Sequence, residues 1–263
     1  MDLTITQVDA FTDKPFAGNP AAVCLLPEPR DASWMQLVAR EMNLPETAFL
    51  VPAGDEFGLR WFTPAAEVAL CGHATLASAH FLWEHEHCGP NRPIRFHTLS
   101  GVLAAERRDS WIDMDFPATP PEPAAPPEGL EAALGVKAIY VGRSRFDYLL
   151  ELESEQAVRG AQPDFGSLLR VNTRGVTITS RASGAHYDFV SRFFAPAVGV
   201  NEDPVTGSAH CCLGPFWKQR LGRDSLIGYQ ASARGGTVRT RCQGDRVLLS
   251  GQAVTVARGK LCV

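Results

Sequence analysis

The stretch Val68 to His85, VALCGHATLASAHFLWEH, joins reactive side chains to the start of an apolar segment. Cys71, Gly72 and His73 supply a thiol, a bare backbone and an imidazole, and the residues from Thr75 onward are apolar or small on every side of a helix. A helix that is apolar all round is normally buried inside its domain. The pattern predicts a buried helix whose first turn carries groups that can do chemistry.

The first turn of such a helix is also an anion-binding feature. Its leading N–H groups have no partner within the helix, and the helix dipole adds partial positive charge there. A carboxylate or an oxyanion can therefore bind, and a glycine such as Gly72 lets the ligand approach the backbone closely.

A second segment of the same kind, DPVTGSAHCCLGPFW, begins at Asp203 and contains Gly207 and Ser208. If two helix starts face one another, the cleft between their domains suits a small anionic molecule. The alternative for each motif alone is structural, with the glycine in a turn and Asp203 as an N-cap or loop residue.

The rest of the sequence predicts an α+β fold with several antiparallel strand pairs. DASWMQLVAREMNL predicts a helix with Asp31 as its N-cap and with Trp34, Leu37, Val38 and Met42 on one face. A short helix is predicted for DFGSLLRV, and a hairpin turn for QGD. The segments predicted as strands are TITQVDAF, AAVCLL, TAFLV, GLRWF, IRFHT, WIDMDF, GVTITS, DFVSRFF, GTVRTRC and RVLLSG.

The chain divides into two halves with a weak internal repeat. The segment Phe116 to Leu130 holds six of the 19 prolines and cannot continue a helix or a central strand, which makes it the predicted crossing between domains. RWFTP at Arg60–Pro64 is echoed by RFFAP at Arg192–Pro196, and each leads to a buried-helix candidate. We therefore predict two related domains, 1–117 and 118–263, with the last strand able to return to the first domain.

Composition excludes several classes of protein. The 263 residues are 45% apolar and 21% charged, as in ordinary globular proteins, and the net charge of −4 does not favour nucleic acid as a partner. No apolar run approaches the ~18 residues that a membrane helix needs. The seven cysteines include an adjacent pair and suggest reduced thiols in a cytoplasmic protein. HEHC at His85–Cys88 lacks the usual zinc spacing, so no metal site is predicted.

Four motifs in order resemble the PhzF (phenazine biosynthesis-like) family: VDAFTDKPFAGNPAAVCLL, LPETAFL, RWFTPAAEVALCGHATLASAH and RFFAPAVGVNEDPVTGSAH. The resemblance runs from Asp9 to at least SGQAVTVARGKL near the end of the chain. It implies the diaminopimelate epimerase-like fold, in which two similar domains each wrap a mixed sheet around a central helix. It also implies a homodimer and a cofactor-independent isomerase that moves a proton on a small carboxylic acid.

The resemblance also implies roles for individual residues. Glu46, in the ETAF motif, is expected to act first as base and then as acid, while His73 and Asp203 orient the substrate and assist. We expect a neutral imidazole at His73, because the helix dipole disfavours a cation there. The positions that match the family are Glu46, His73 and Asp203 as catalytic residues and Gly72, Gly207, Ser208, Cys71 and Asn19 as substrate-binding residues.

Two alternatives stay open at this stage. Related epimerases and proline racemases use one thiol at each of two helix starts, and Cys71 fits the first position. Pro204 stands near the second position, and Cys211 and Cys212 lie deeper in the helix. The other alternative is a non-catalytic binding protein that has kept the fold. In addition, Pro45 replaces a hydroxyl residue of the phenazine enzymes, which argues against their dihydro-hydroxyanthranilate substrate.

Overall fold

The computed structural model describes residues 3–90 and 92–262. The chain divides into two compact units. The first holds the chain up to Asp115 together with the residues from Ser250 onward, and the second is Phe116–Leu249. Each unit is built around one long helix and a mixed β-sheet.

The first unit contains two helices, α1 (Ala32–Met42) and α2 (Gly72–Glu84). Its strands are β1 (Leu3–Ala10), β2 (Asn19–Leu25), β3 (Glu46–Ala53), β4 (Glu56–Phe62), β5 (Glu67–Val68), β6 (Ile94–Thr98), β7 (Gly101–Arg108), β8 (Trp111–Pro117) and, from the end of the chain, β18 (Ala253–Leu261). The chain passes into the second unit within β8.

The second unit contains the short helices α3 (Leu130–Leu134), α4 (Glu155–Gly160) and α5 (Phe165–Leu168), a 3-10 turn (Pro196–Val198) and the long helix α6 (Gly207–Leu221). Its strands are β9 (Glu122–Pro123), β10 (Ala138–Arg143), β11 (Tyr148–Leu152), β12 (Val176–Arg181), β13 (Phe189–Ala195), β14 (Val200–Asp203), β15 (Ser225–Gln230), β16 (Gly236–Gln243) and β17 (Arg246–Gly251). The chain returns to the first unit within β17.

The two units repeat the same pattern of strand pairing. In the first unit the order is β18-β1-β2-β3-β4-β6-β7, with β2/β3 and β4/β6 parallel and the other pairs antiparallel. In the second it is β9-β10-β11-β12-β13-β15-β16, with β11/β12 and β13/β15 parallel and the others antiparallel. A short antiparallel strand, β5 or β14, precedes each long helix. The internal repeat predicted from the sequence is therefore present in the topology.

Side chains of the repeated motif make the same contacts in both units. Arg60 on β4 donates two hydrogen bonds to Glu67 on β5, at 2.7 and 2.8 Å. Arg192 on β13 donates two to Glu202 on β14, at 2.7 and 3.0 Å. A forked guanidinium–carboxylate pair fixes both distance and orientation. It therefore holds each short strand, and the helix start that follows, to the sheet.

Helix α2 is buried on almost every side, and it packs against β1, β2, β3 and β18. Alanines and other small residues let these strands approach the helix axis closely. The hydroxyls of Thr75 and Ser78 are satisfied within the helix, donating to the carbonyls of Cys71 and Ala74 at 2.6 and 2.7 Å. Such local bonds allow polar side chains to lie in a core without a cost in unpaired groups.

Helix α6 runs through an internal proline. Pro215 has no N–H, so the carbonyl of Cys211, four residues earlier, loses its helical partner. The backbone N–H of Thr119 donates to that carbonyl at 3.0 Å instead. The proline is thereby tolerated, and the helix continues past Trp217 to Leu221. None of the helices that the structure describes is both long and apolar enough to cross a membrane.

The prediction for α1 is wrong at one position. Val38 is buried, and Trp34 and Met42 pack against the same apolar cluster, but Leu37 is 61% exposed. Met35 and Ala39 complete the buried face instead. The buried face is therefore turned away from Leu37 and toward Met35 and Ala39, because α1 packs on that side against β3 and β4.

Candidate active site

In the first unit, three chain segments bring predicted site residues together at one edge of the sheet. Asn19 is the first residue of β2, Glu46 is the first residue of β3, and His73 lies in the first turn of α2. Strands β2 and β3 are parallel, with Ala21 opposite Glu46, so their beginnings lie at the same edge. The start of α2 meets them there.

The contacts centre on the imidazole of His73. Its Nε2 lies 3.0 Å from Oε2 of Glu46, and its Nδ1 lies 3.2 Å from Nδ2 of Asn19 and 3.5 Å from Sγ of Cys71. The approach of Nε2 to Glu46 is that of an ion pair rather than of an aligned hydrogen bond. His73 and Asn19 are buried, while the side chain of Glu46 keeps 17% exposure. Glu46 is thus the member that a substrate can reach.

Gly18 brings the chain into position for Asn19. Its φ is +64°, and a Cβ there would lie 2.1 Å from the carbonyl oxygen of Ala10. Only glycine accommodates both the left-handed backbone and the close approach. A side chain at Gly18 would displace the start of β2, and with it the amide that faces His73.

The pKa of His73 is raised well above its ordinary value of 6.5. Burial alone would lower the pKa, but the sulfur of Cys71 and the carboxylate of Glu46 act in the opposite direction and outweigh it. The sequence-based expectation of a neutral imidazole is therefore wrong. The sulfur of Cys71, 3.5 Å from the ring, and the carboxylate of Glu46, 3.0 Å from it, raise the pKa against the effect of burial.

Cys71 is a buried thiol. Burial raises its pKa, the carboxylate of Glu46 raises it further, and His73 acts only partly in the opposite direction. Because the thiolate is the reactive form, a raised pKa makes this cysteine a poor base near neutral pH. The chemistry of the site therefore favours Glu46 over Cys71 as the group that takes a proton.

The second unit carries the remaining predicted residues, around the start of α6. Asp203 ends β14, while Gly207 and Ser208 open the helix. The hydroxyl of Thr206 donates to Oδ2 of Asp203 at 2.5 Å. This bond fixes the carboxylate of Asp203 next to the helix start, where the helix dipole favours a negative charge.

Gln230, a fully buried residue at the end of β15, holds this segment in place. Its Oε1 accepts from the backbone N–H of Thr206 at 2.9 Å, and its Nε2 donates to the carbonyl of Asp203 at 2.7 Å and to the hydroxyl of Thr206 at 3.1 Å. One amide thereby fixes the turn that precedes α6. Sequence reasoning missed Gln230, since a lone glutamine in a strand gives no signal of its own.

Arg174 also reaches the start of α6. It forms a forked ion pair with the buried carboxylate of Asp147 and donates to the hydroxyl of Ser208 at 3.3 Å. The pair orients the Ser208 side chain at the second helical position. Sequence reasoning missed this contact as well, because Arg174 lies 34 residues from Ser208 along the chain.

Helix α6 contains a second buried histidine, in a different environment. Nδ1 of His210 donates to the carbonyl of Thr206 at 2.8 Å, and Nε2 has no hydrogen-bond partner among the described residues. The ring lies near that of Phe189, with 6.0 Å between centroids. Burial lowers the pKa of His210 to about 4, against a smaller raising effect of the bond to Thr206. This imidazole is therefore neutral.

The residue types at the first site also include metal ligands. One ligand atom from each of Glu46, Cys71 and His73 lies within 4.8 Å of the others, and a thiolate, an imidazole and a carboxylate can bind Zn²⁺. Metal binding requires a thiolate and a neutral imidazole. Because burial raises the pKa of Cys71, a metal ion would have to displace the thiol proton in order to bind here.

Neither long helix begins with a side-chain oxygen as its cap. The hydroxyl of Thr206 accepts no bond from the first turn of α6, and at α2 the N–H of Ala74 faces only the weakly accepting sulfur of Cys71. Gly72 is half-buried, Gly207 is buried, and Ser208 is half-buried. Each helix start therefore presents backbone donors of the type that bind carboxylates.

Comparison with known proteins agrees with these features. The profile of the family described as phenazine biosynthesis-like protein (PhzC-PhzF) matches residues 8–259. An uncharacterized isomerase of Halalkalibacterium halodurans is 56% identical over 262 residues, which cover 99% of each chain.

The chain belongs to the phenazine biosynthesis-like family.

Solved structures place the fold in the same family. The crystal structure of a PhzF-family protein from Enterococcus faecalis matches with a TM-score of 0.94 and 40% identity, covering 100% of both chains. A predicted epimerase from Pseudomonas aeruginosa matches with a TM-score of 0.78 at 23% identity, which shows a shared fold. The predicted family and the predicted epimerase-like α+β fold are both confirmed.

Proposed function

We propose that the protein is a cofactor-independent isomerase that moves a proton between two carbon atoms of a small carboxylic acid. Membership of the family and 56% identity to a relative named as an isomerase support the reaction class. The observation that carries the proposal is the pair of Glu46 and His73, a partly exposed carboxylate 3.0 Å from a buried imidazole at a helix start.

In the proposed reaction, the carboxylate of Glu46 removes a proton from a substrate carbon next to a carboxylate or carbonyl group. The C–H electron pair moves onto the substrate as an enolate, and Glu46 becomes a carboxylic acid. The imidazolium of His73 stabilises the new negative charge and can donate its own proton. Glu46 then protonates a different carbon and becomes a carboxylate again. If His73 donates the proton instead, the acid form of Glu46 passes its proton to Nε2 of His73, and either route returns the enzyme to its starting protonation state.

The imidazolium has opposing effects on this reaction. It stabilises the ionised form of Glu46, which weakens that group as a base. It also stabilises the enolate, whose charge develops while that of Glu46 disappears. A protonated His73 therefore speeds the reaction only if the substrate binds with its developing negative charge next to the ring.

Substrate binding is proposed for the two helix starts. Gly72, Gly207 and Ser208 would offer backbone N–H groups to the substrate carboxylate, and Asp203 would hold an amine or hydroxyl of the substrate. Cys71 would be an accessory side chain in this proposal. Both helix starts lack a side-chain cap, which supports these roles. A cytoplasmic location and a homodimer are part of the proposal because the resemblance implies them.

The test is deuterium uptake by candidate substrates. Wild type is incubated with a library of small amino, hydroxy and unsaturated carboxylic acids in deuterated water, and mass shifts are measured beside Glu46→Gln and Cys71→Ser. We expect at least one acid to gain deuterium and to yield an isomer with wild type and Cys71→Ser, but not with Glu46→Gln. Uptake that is lost in Cys71→Ser and kept in Glu46→Gln would instead establish a cysteine-dependent racemase. No uptake by any acid would favour a binding protein.

A further inference from the structure

Asn19 lies behind the proposed proton carriers. It is fully buried, and its amide Nδ2 is 3.2 Å from Nδ1 of His73, the nitrogen that faces away from Glu46. The resemblance implied a substrate contact for Asn19. A fully buried amide that faces a histidine is better placed to act through that histidine than to touch a substrate.

The groups that face His73 come from three elements. Glu46 is on β3, Asn19 is on β2, and Cys71 precedes α2. Glu46 faces Nε2, whereas Asn19 and Cys71 face Nδ1. Asn19 is the only one of these three that has no ionisable proton, so it can support the ring without competing for its proton.

The two protonation states of His73 need opposite partners at Nδ1. In the neutral ring with a proton on Nε2, Nδ1 is an acceptor and needs a donor. In the imidazolium, Nδ1 carries a proton and needs an acceptor. A primary amide offers an NH2 group at one end and a carbonyl oxygen at the other, and a half-turn about its last bond exchanges them.

We propose that Asn19 is a positioning residue that acts through His73: its amide donates to Nδ1 of the neutral ring and, after a half-turn, accepts from Nδ1 of the imidazolium. Nδ1 of His73 then faces a partner of the right kind in both protonation states. This inference rests on the proposed function, in which His73 serves as the second proton carrier of the site.

Substitution at Asn19 separates this role from a purely structural one. Asn19→Asp puts a permanent acceptor and a negative charge at Nδ1, which stabilises the imidazolium and should raise the pKa of His73 by about 1–3 units. Asn19→Leu keeps the branching and the number of heavy atoms but offers neither donor nor acceptor. It makes the surroundings of the ring more apolar, which disfavours the charged form and should lower that pKa. The two variants therefore move one measured quantity in opposite directions, which a loss of packing does not.

The measurement is an NMR titration of full-length protein with ¹⁵N-labelled histidine, in which His73→Gln identifies the resonances of His73. Gln252→Glu is the matched control, because it makes the same amide-to-carboxylate change in the same unit, at a residue whose amide donates to Ser110. The control should leave the pKa of His73 unchanged. If one Asn19 variant fails to fold, the other still gives a shift of defined sign.

Opposite shifts in Asn19→Asp and Asn19→Leu support the inference, and equal or absent shifts overturn it. Deuterium uptake by a substrate found with wild type adds a second readout, and we expect it to fall at least ~10-fold in both variants, since each fixes His73 in one state. If the pKa shifts occur but wild type exchanges deuterium with no acid, the proposed function fails and the role of Asn19 stands. If wild type exchanges and the pKa does not move, only the role of Asn19 fails.

Discussion

The two units place a buried histidine near the start of the same kind of helix, yet the two histidines carry different charges. His73 in α2 lies 3.0 Å from a carboxylate and has a raised pKa. His210 in α6 donates to the carbonyl of Thr206, lies near the ring of Phe189, and has a pKa of about 4. Burial acts in the same direction on both rings. The direction of each pKa shift therefore depends on the partners of the ring, which in the first unit are the sulfur of Cys71 and the carboxylate of Glu46.

This difference shows how an internal repeat can support one reactive pair. Both units keep the strand order, the forked arginine–glutamate pair and the uncapped helix start. In the first unit the parallel strand β3 begins with a glutamate that reaches the helix start. The corresponding strand of the second unit, β12, begins with Val176, which is buried in an apolar cluster. The helix-start histidine of the first unit therefore faces a carboxylate, whereas the corresponding strand of the second unit begins with an apolar side chain.

The largest expected effect comes from making the two histidines alike. Glu46→Gln removes the carboxylate but keeps the size and most of the hydrogen-bonding capacity of the side chain. Desolvation should then dominate, and the pKa of His73 should fall toward that of His210. Deuterium uptake by a substrate should fall by about 100- to 10,000-fold, the usual contribution of a general base. Mass spectrometry measures the uptake, and NMR measures the pKa.

Glu56→Gln serves as the control for this substitution. Glu56 pairs with His97 and Arg95 at an exposed site on β4, so it tests whether loss of any glutamate–histidine pair in the unit matters. We expect wild-type uptake in this variant. Equal loss in Glu46→Gln and Glu56→Gln would contradict a specific role for Glu46.

The second prediction concerns stability at acid pH. The pKa of His210 is about 4 in the folded chain and near 6.5 in the unfolded chain, so the unfolded state binds more protons between these values. Stability should therefore fall as pH drops from about 6.5 to about 4, by on the order of 3 kcal/mol. His210→Asn should flatten this limb of the curve of unfolding free energy against pH, as measured by chemical denaturation.

His73 should change the unfolding free energy with pH in the opposite direction. Its pKa is raised on folding, so the stabilisation is fully present below about 6.5 and is lost as pH rises through the raised value. Glu46→Gln should flatten this alkaline limb, and the lowered pKa of His73 should then steepen the acid limb. If His210→Asn flattens the alkaline limb instead of the acid limb, the two histidines do not differ as described.

A smaller effect is expected from loosening the start of α6. Gln230→Leu removes an acceptor from the N–H of Thr206 and a donor to the carbonyl of Asp203 while keeping the volume. Leaving buried polar groups unpaired should cost about 1–3 kcal/mol of unfolding free energy. Gln156→Leu on the exposed face of α4 is the matched control and should change stability by less than ~0.5 kcal/mol. Similar values for the two variants in urea denaturation would refute the role of Gln230.

The smallest expected effect is that of Cys71→Ser. The thiol is buried with a raised pKa, so its loss should change deuterium uptake by less than about 10-fold. The pKa of His73 should fall, because the sulfur is first among the groups that raise it. A loss comparable to that of Glu46→Gln would shift the account toward thiol chemistry.

Much of the fold was predictable from local pattern. Each segment predicted as a strand coincides with a strand of the structure, and the apolar stretch after Cys71 is the central helix of the first unit. Strand β7 was not predicted, because Ala105 is the only buried residue of its sequence GVLAAERR. Apolar and polar residues therefore do not alternate along it as they do in a half-buried strand. The exposed Leu37 could not be foreseen either, since its burial depends on which strands cover α1.

The candidate site was only partly predictable. The motif residues Glu46, Cys71, Asn19 and His73 lie together in the first unit, whereas their catalytic and binding roles stay predictions, as do those of Asp203, Gly207 and Ser208. The shift in the pKa of His73 was predicted in the wrong direction, because the helix dipole follows from the sequence but the distances from the ring to Cys71 and Glu46 do not. Gln230 and Arg174 act through contacts between residues distant in sequence, which no local pattern encodes.

The most direct test of the central claim is a titration of all histidines in one sample of ¹⁵N-labelled wild-type protein, with His73→Gln and His210→Asn as assignment variants. The account predicts that His73 keeps its second proton well above pH 6.5, while His210 stays neutral down to about pH 4. If His73 instead titrates at or below 6.5, Glu46 does not hold an imidazolium, and the proposed pairing of carboxylate and imidazolium at the start of α2 is wrong.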